Sequence, residues 1–242
     1  MSDENGISEI LDSVSEEGRR TLTEYESKQA LSNWDVSVTE TIFAENKLEA
    51  VDAARELKYP VVMKISSPEI TDKSSIDGVR VGLTSEIEVR QAFGDIMASA
   101  RTNVEKENIQ GVVVQQYVPE ATEVVIEVKP DPSFGPTVMF GLSGLWIEVL
   151  EDKSFRLAPV SEEDAREMIK EIDGSPILFG AQGATPADIG ALVDIIQKIS
   201  ELPVEYEQIS ELYLDSVFAF EDSASVIDAQ IVLSEIEEKK EE

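Results

Sequence analysis

Apolar and polar residues recur with two periodicities along the chain, one helical and one extended, and together these predict a fold that contains both helices and strands. Apolar residues recur at helical spacing in 46–58, 89–100, 161–172 and 185–202. Short apolar runs or strict alternation, both typical of strands, occur in 36–44, 61–65, 78–83, 111–118, 122–130, 136–142, 145–150, 211–220 and 224–233. This order predicts an α+β fold with a small lobe followed by a larger antiparallel sheet backed by helices.

Four stretches of the chain differ in composition and predicted structure. Residues 1–20 are acidic and rich in serine, as expected for a flexible arm or a short helix. Residues 21–110 form the predicted N-terminal lobe and 111–234 the predicted C-terminal lobe, while 235–242 is a charged tail. Two local signals mark helix starts: Thr23 with Glu26 is a capping box, and Pro186 suits a first helical turn.

The chain has 242 residues and contains neither histidine nor cysteine. This composition excludes Ser–His and Cys–His nucleophiles, imidazole metal sites and thiolate chemistry. Carboxylates, amines, hydroxyls and backbone amides remain for function. There is no run of 18 apolar residues and no signal-peptide pattern, so we expect a soluble cytoplasmic protein without a membrane partner.

The formal net charge is −30, from 50 acidic and 20 basic residues. Such a charge disfavours binding to nucleic acid and to anionic membranes. Two explanations remain, a halophile cytosol in which salt screens the repulsion, or an acidic scaffold for basic partners. The acids are spread along amphipathic segments instead of forming one tract, which favours the halophile.

A lysine and the polar loop that follows it suggest a phosphate site. Lys64 stands near the end of an apolar strand, where an ammonium group is costly unless it faces an anion or reaches water. The sequence TDKSSIDG follows, with Asp72, Lys73, Ser74 and Gly78. An ammonium group beside a loop of backbone amides is a common way to hold a polyphosphate.

Two aspartates interrupt the last two apolar strands. Asp215 and Asp228 would approach each other if these strands form a hairpin, and a cation between them would relieve the repulsion. Magnesium accepts one or two carboxylates together with phosphate oxygens, so the pair suits Mg²⁺ beside a nucleotide. The alternative is that one or both side chains point to solvent.

The segment GVVVQQYVPEATEVV offers groups for a nucleoside. Backbone groups at Gln116, Tyr117 and Val118 can pair with a base edge, and Glu123 can accept hydrogen bonds from ribose hydroxyls. The alternative is a hairpin with exposed polar residues.

Taken together, several stretches resemble one family in a collinear order from about residue 22 to 233. They are LTEYESKQAL, YPVVMKISSPEI, KSSIDGVRVGL, DPSFGPTVMFGLSG, SFRLAPVSEEDA, TPADIGALVDII and IDAQIVL. They resemble the β subunit of ADP-forming acetyl-CoA (acyl-CoA) synthetase, an ATP-grasp protein related to the β chain of succinyl-CoA synthetase.

The resemblance implies a nucleotide, ATP or ADP with Mg²⁺, held between two lobes. It also implies a hetero-oligomer with a CoA-binding α subunit that carries a phosphohistidine, and the reaction acyl-CoA + ADP + phosphate ⇌ acid + ATP + CoA. By position, Lys64 matches the phosphate-binding lysine, 73–82 the phosphate-covering loop, and Gln116 to Val118 the adenine hinge. Glu123 matches the ribose acid and Asp228 the magnesium ligand. Arg156 is a further retained residue, and the resemblance implies catalytic roles for Lys64 and Arg156.

Several positions depart from the family pattern. Asp72 stands where a second, relaying histidine is expected, and Asp215 replaces a metal-binding asparagine. Three functions therefore remain open: an active β subunit in which the partner's histidine reaches the nucleotide directly, a non-catalytic paralogue that acts as a structural or regulatory partner, and a ligase that makes an acyl phosphate itself. Asp72 as an acyl-phosphate acceptor is a further, less favoured possibility.

Overall fold

The computed structural model describes residues 4–70, 72–144 and 150–235. Its helices are α1 (Glu4–Glu16), α2 (Glu24–Asn33), α3 (Lys47–Leu57), α4 (Glu86–Ala100), α5 (Glu162–Glu171) and α6 (Ile189–Glu205). Its strands are β1 (Thr41–Ala44), β2 (Val61–Ser66), β3 (Val79–Leu83), β4 (Gly111–Gln116), β5 (Thr122–Asp131), β6 (Gly135–Leu142), β7 (Lys153–Leu157), β8 (Ile209–Ala219) and β9 (Ala224–Leu233). Among the described helices, none has both the length and the apolar character needed to cross a membrane.

The chain divides into two compact units. Unit 1 comprises the described residues within Met1–Leu22, Glu26–Val38 and Glu120–Glu242, and unit 2 comprises Thr23–Tyr25 and the described residues within Thr39–Pro119. Helix α2 therefore begins in a segment of unit 2 and continues in unit 1.

Unit 2 is an antiparallel sheet covered by two helices. Its described strands lie in the order β1-β4-β2-β3. Helix α3 starts where the Asn46 side chain accepts hydrogen bonds from the amides of Leu48 and Glu49, and α4 starts at the equivalent cap Ser85. Apolar residues of both helices pack against one face of β2 and β4, and this face of the sheet carries Val61, Met63, Ile65, Val112 and Val114.

Unit 1 contains the second sheet, with described strands in the order β7-β6-β5-β8-β9. Side chains alternate along β5: Val124, Ile126 and Val128 are fully buried in the core, and Glu127 and Lys129 project from the other face. The core also contains residues of α1, α2, α5 and α6, including Ile7, Leu31, Met168 and Ile196. The sheet therefore has one apolar and one polar face.

The structure differs from the sequence prediction at both lobe boundaries. The segment expected as a flexible arm contains α1, whose Ile7, Leu11 and Val14 are buried, so the short-helix alternative holds for 4–16. Strand β4, expected to open the C-terminal lobe at residue 111, pairs with β1 and β2 in unit 2. The apolar run of β4 would fit either sheet, so the local sequence pattern alone does not show which sheet contains this strand.

Smaller differences concern individual elements. Helix α6 begins after its cap Asp188, so Pro186 lies before the helix, and Leu48 is 63% exposed although its spacing suggested the buried face of α3. Strand β1 is shorter than the predicted 36–44. The predicted strand 145–150 and charged tail 235–242 lie outside the described residues except for their terminal positions 150 and 235.

Gly111 allows a close contact between β4 and the end of β1. A Cβ atom at this position would lie 2.4 Å from the carbonyl oxygen of Ala44. We expect Gly111→Ala to lower the free energy of unfolding by about 3 kcal/mol, because the backbone must move to relieve the overlap. Urea unfolding followed by circular dichroism measures this loss.

Gly82→Ala is the matched control for that substitution. Gly82 has φ +73° in the same unit, and nothing lies within 4 Å of the position that an alanine methyl group would take there. This substitution should cost only about 1 kcal/mol, from backbone conformation alone. Equal losses for the two variants would contradict the close-contact explanation.

Candidate functional site

Lys64 lies within β2 on the sheet face opposite the helices. It pairs with Val79 on β3 and Val113 on β4, and every residue of β2 is buried. Its neighbours Met63 and Ile65 belong to the apolar core, so strand alternation directs the Lys64 side chain away from α3 and α4. That side chain is 8% exposed, so its ammonium group needs an anionic partner.

The partner is Glu24, the first residue of α2. Its Oε1 lies 2.7 Å from Nζ of Lys64 in a buried, hydrogen-bonded ion pair. Its Oε2 lies 3.2 Å from Nζ of Lys73, an ion pair whose alignment falls short of a hydrogen bond. The Glu24 and Lys73 side chains are 2% and 17% exposed. One buried carboxylate thus contacts two ammonium groups.

Sequence reasoning missed Glu24 because nothing local marks it. The predicted capping box drew attention to Glu26, which forms a two-point ion pair with Arg19 at 2.7 and 3.0 Å. The separation of Glu24 and Lys64 by 40 residues produces no periodic signal. The clue available was the lysine itself, since a buried strand lysine requires a carboxylate from elsewhere in the chain.

The loop 72–78 closes on itself. Oδ1 of Asp72 accepts hydrogen bonds from the amides of Ser74 and Ser75 at 3.1 and 3.0 Å, and the Gly78 amide donates to the Lys73 carbonyl at 2.8 Å. A Cβ atom at Gly78 would lie 2.8 Å from that same carbonyl, which explains the glycine. The amides of Ser74, Ser75 and Gly78, all in the segment expected to cover a phosphate, are therefore engaged within the loop.

The loop ends in a further ion pair and leads directly into β3. Arg80 donates to both carboxylate oxygens of Asp77 at 2.8 and 2.7 Å. This hydrogen bonding lowers the pKa of Asp77, whose side chain is exposed. The predicted phosphate-covering segment 73–82 is thus a turn followed by the first residues of a strand.

The predicted base-binding segment lies at the end of β4 in unit 2. Gln116 is exposed, and its amide donates to the Glu40 carbonyl at 3.0 Å, so this donor already has an acceptor. Tyr117 is 37% exposed and Val118 half-buried. Glu123 belongs to β5 in unit 1.

Register brings Glu123, Ser216 and Asp228 to the polar face of the unit 1 sheet. Ser216 lies opposite Asp228, and its hydroxyl donates a short hydrogen bond to Oε1 of Glu123. A β-bulge between Tyr213 and Ser216 contains Asp215, which is exposed. The two aspartate-bearing strands β8 and β9 thus pair as an antiparallel hairpin, which is the condition on which the proximity of Asp215 and Asp228 depended.

These carboxylates do not form a complete metal cage. No group of three or more acidic side chains suited to a metal ion occurs in the described part of the chain. Magnesium commonly takes one or two carboxylates and completes its shell with water and phosphate oxygens, so Asp215 and Asp228 fit that ion and not an all-protein site.

Arg156 lies on the helix-facing side of β7. It pairs with Val138 in the core, and its guanidinium group contacts Glu171 of α5 at 2.9 Å. Weaker contacts reach Glu167 at 3.7 Å and Asp164 at 3.9 Å on the same helix. These contacts give Arg156 a structural role, and its catalytic role stays a prediction.

A second polar group, missed in the sequence, lies on the same sheet face as Glu123. Lys129 contacts Glu127 at 2.5 Å and lies 4.7 Å from the centre of the Tyr213 ring. The Tyr213 hydroxyl donates to Glu211, and burial together with this hydrogen bond raises the pKa of Tyr213. This hydroxyl therefore stays protonated throughout the physiological pH range.

A pocket of about 810 Å³ opens beside the β8–β9 turn in unit 1. Its lining contains Glu120, Glu221 and Asp222 and no lysine or arginine among the described residues. Three carboxylates without a cation repel phosphate, so this pocket does not suit a nucleotide's phosphate chain.

Comparison with known proteins identifies the family. The ATP-grasp domain model matches residues 13–233. The β subunit of ADP-forming acetate–CoA ligase I from Pyrococcus furiosus is 44% identical over 225 residues, covering 93% of this chain and 97% of that protein.

Solved structures agree in fold. An acetyl-coenzyme A synthetase 1 from Ca. Korarchaeum cryptofilum, in complex with coenzyme A and Ca-AMPCP, matches with a TM-score of 0.91 and 42% identity. The match covers 93% of this chain and 99% of that one. A second complex of the same enzyme, with coenzyme A and Mg-AMPPCP, has its phosphohistidine segment pointing towards the nucleotide-binding site. It matches with a TM-score of 0.82 and 40% identity, and the match covers 94% of this chain and 100% of that one.

The fold and the matches together define an ATP-grasp protein. More narrowly, the chain belongs to the ATP-grasp branch that contains the β subunits of ADP-forming acetate–CoA ligases. The family resemblance and the α+β ATP-grasp fold predicted from the sequence are both confirmed.

The contacts of Arg156 generate a stability prediction. We expect Arg156→Gln to lower the free energy of unfolding by about 1 kcal/mol, because three carboxylates of α5 lose a partly buried cation. Urea unfolding measures this loss, and Mg-ADP titration should show an unchanged affinity. Arg166→Gln, which removes an exposed pair with Glu162 on the same helix, is the control and should cost about 0.3 kcal/mol. Weaker nucleotide binding with unchanged stability would instead favour the catalytic role.

Proposed function

We propose that this chain is the nucleotide-binding β subunit of an ADP-forming acyl-CoA ligase. With a CoA-binding partner that carries a phosphohistidine, it would interconvert acyl-CoA, ADP and phosphate with the free acid, ATP and CoA. The observation that carries the proposal is the pair of ammonium groups of Lys64 and Lys73 on one buried carboxylate. Two ammonium groups on the same carboxylate are unusual in a chain of net charge −30, and such a pair suits phosphate. The similarity of the chain over nearly its whole length to the β subunit of an ADP-forming acetate–CoA ligase supports the proposed reaction and the need for a partner.

In unit 2, Lys64 and Lys73 would neutralise phosphate oxygens, and Gln116 to Val118 would contact the base. Loop residues Ser74 and Gly78 would lie beside the phosphates, although their amides are engaged within the loop.

In unit 1, Asp215 and Asp228 would hold Mg²⁺, and Glu123 would accept ribose hydroxyls. When bound, Mg²⁺ neutralises charge on the phosphate oxygens. The hydrogen bond from Ser216 to Glu123 would fix the orientation of that carboxylate.

We propose that phosphoryl transfer runs directly between the nucleotide and the histidine of the partner. In the ATP-forming direction the phosphorus–nitrogen bond of the phosphohistidine breaks and a bond to the terminal oxygen of ADP forms. In this route Asp72 is not an intermediate acceptor, and its Oδ1 closes the loop through Ser74 and Ser75. The nucleotide-directed phosphohistidine segment of the Ca. Korarchaeum cryptofilum enzyme supports such a route.

The second candidate is a nucleotide-binding or structural paralogue without phosphoryl transfer. It is favoured by Asp72 at the position of the expected relay histidine and by Asp215 at that of the expected asparagine. Binding and turnover measurements separate the two functions.

Metal-dependent nucleotide binding is the first test. Isothermal titration of the purified chain with Mg-ADP in molar KCl should show binding that weakens about tenfold or more in Asp228→Ala, because a magnesium carboxylate is lost. Asp222→Ala is the matched control, since Asp222 is exposed in the turn of the same hairpin. A folded wild-type chain that binds neither Mg-ADP nor Mg-ATP would contradict the proposed function.

Turnover with the CoA-binding partner tests the route of transfer. Asp72→Asn should keep at least about half of the wild-type rate, because the asparagine oxygen can still accept from Ser74 and Ser75. Lys64→Met should reduce the rate about a hundredfold or more, since the phosphates lose an ammonium group. The rate of ATP formation from acetyl-CoA, ADP and phosphate provides the measurement.

Two results would overturn parts of this scheme. Loss of turnover in Asp72→Asn, with the fold intact by circular dichroism, would place Asp72 on the transfer route. Nucleotide binding without turnover in the reconstituted wild-type pair would favour the non-catalytic paralogue.

A further inference from the structure

We propose that Glu24 is the positioning residue for the two lysines that face the phosphates; the inference rests on the nucleotide-binding function proposed above. Glu24 would hold the ammonium groups of Lys64 and Lys73 at a fixed separation and would tie the loop 72–78 to strand β2. It would not itself touch the nucleotide.

The two lysines come from strand β2 and the loop 72–78, and both contact the carboxylate of Glu24 on helix α2. Lys64 is fixed by its position in β2, with strand partners on both sides. Lys73 is part of a turn, and its ammonium group lies 3.2 Å from Oε2 of Glu24, whereas Lys64 contacts Oε1. Each carboxylate oxygen therefore places one ammonium group, and the geometry of one residue sets the distance between two cations.

The charge balance explains why this arrangement suits an anion. Two ammonium groups repel each other strongly when they are shielded from water. One carboxylate cancels one of the charges and leaves the trio with a net charge of +1. An ammonium group has three N–H donors, and an ion pair with one carboxylate oxygen does not by itself use all of them.

The two lysines should respond differently to the loss of Glu24. Lys64 belongs to a buried strand, so its side chain has little freedom to reach water. Lys73 lies on a loop and is already 17% exposed, so repulsion would move it outward. The loop lysine would then no longer lie beside Lys64, and the affinity for phosphate would fall.

Glu26 provides a matched control on the same helix. Like Glu24 it is in an ion pair, but its side chain is 22% exposed and its partner is Arg19 within unit 1. Glu26→Gln thus removes a comparable interaction without affecting either lysine.

Amide hydrogen exchange of the nucleotide-free protein tests the hold of Glu24 on the loop. Glu24→Gln and Lys73→Met should each accelerate exchange at the amides of Ser74, Ser75, Asp77 and Gly78 by about tenfold, since the loop loses its anchor. Glu26→Gln should leave these rates unchanged. Unchanged loop exchange in Glu24→Gln would overturn the proposed anchoring.

Titration with Mg-ADP then tests positioning through a double-mutant cycle. We expect the dissociation constant to rise about tenfold in Glu24→Gln and in Lys73→Met, and the double variant to bind about as weakly as the weaker single variant. A merely structural role would lower the thermal midpoint with unchanged affinity, or give additive losses of affinity, and either result would overturn the inference. Tighter binding in Glu24→Gln would also overturn it, because Glu24 would then compete with phosphate.

These outcomes are separable from failure of the proposed function. If the wild-type chain binds no nucleotide, the proposed function fails and with it the nucleotide-directed role of Glu24. The exchange rates would still report whether Glu24 anchors the loop. If the wild-type chain binds Mg-ADP and Glu24→Gln binds it equally well, only the inference about Glu24 fails.

Discussion

A lysine inside a buried β-strand requires a carboxylate against it, and this requirement organises unit 2 around β2. Removing one member of a buried ion pair typically costs about 3–5 kcal/mol, because the remaining charge loses its counter-charge. The first turn of α2 must therefore lie against the β2 sheet to bring Glu24 to Lys64. This explains why Thr23–Tyr25 group with unit 2 although the rest of α2 packs in unit 1.

In both units, the alternation of side chains along the strands places apolar core residues on one face of the sheet and polar residues on the other. In unit 2, Met63 and Ile65 face the helices, while Lys64, Ser66 and Gln115 lie on the opposite face. In unit 1, Val124 and Val217 face the core, while Glu123 and Ser216 lie opposite. The bulge before Ser216 restores its register with Asp228, so it preserves the polar face at the cost of local regularity.

The sequence predicted what depends on local pattern. Period-two and helical spacing identified most elements, including the two strands that carry Asp215 and Asp228 and pair with each other. It did not predict Glu24, whose role arises from a contact across 40 residues, or the assignment of β4 to unit 2. The role of Arg156 was taken from the family resemblance, whereas side-chain alternation along β7 directs it towards α5.

The loop after β2 shows how one substitution changes the source of anion affinity. Asp72 occupies the amides of Ser74 and Ser75, so a carboxylate from the chain already lies where a phosphate would meet backbone donors. A nucleotide phosphate can take those amides only by displacing Asp72, and like charges oppose its approach. In the proposed function, affinity for phosphate would therefore depend on ammonium groups more than on amides. The placement of Lys73 beside Lys64, and hence the carboxylate of Glu24, would then be more important than the loop backbone.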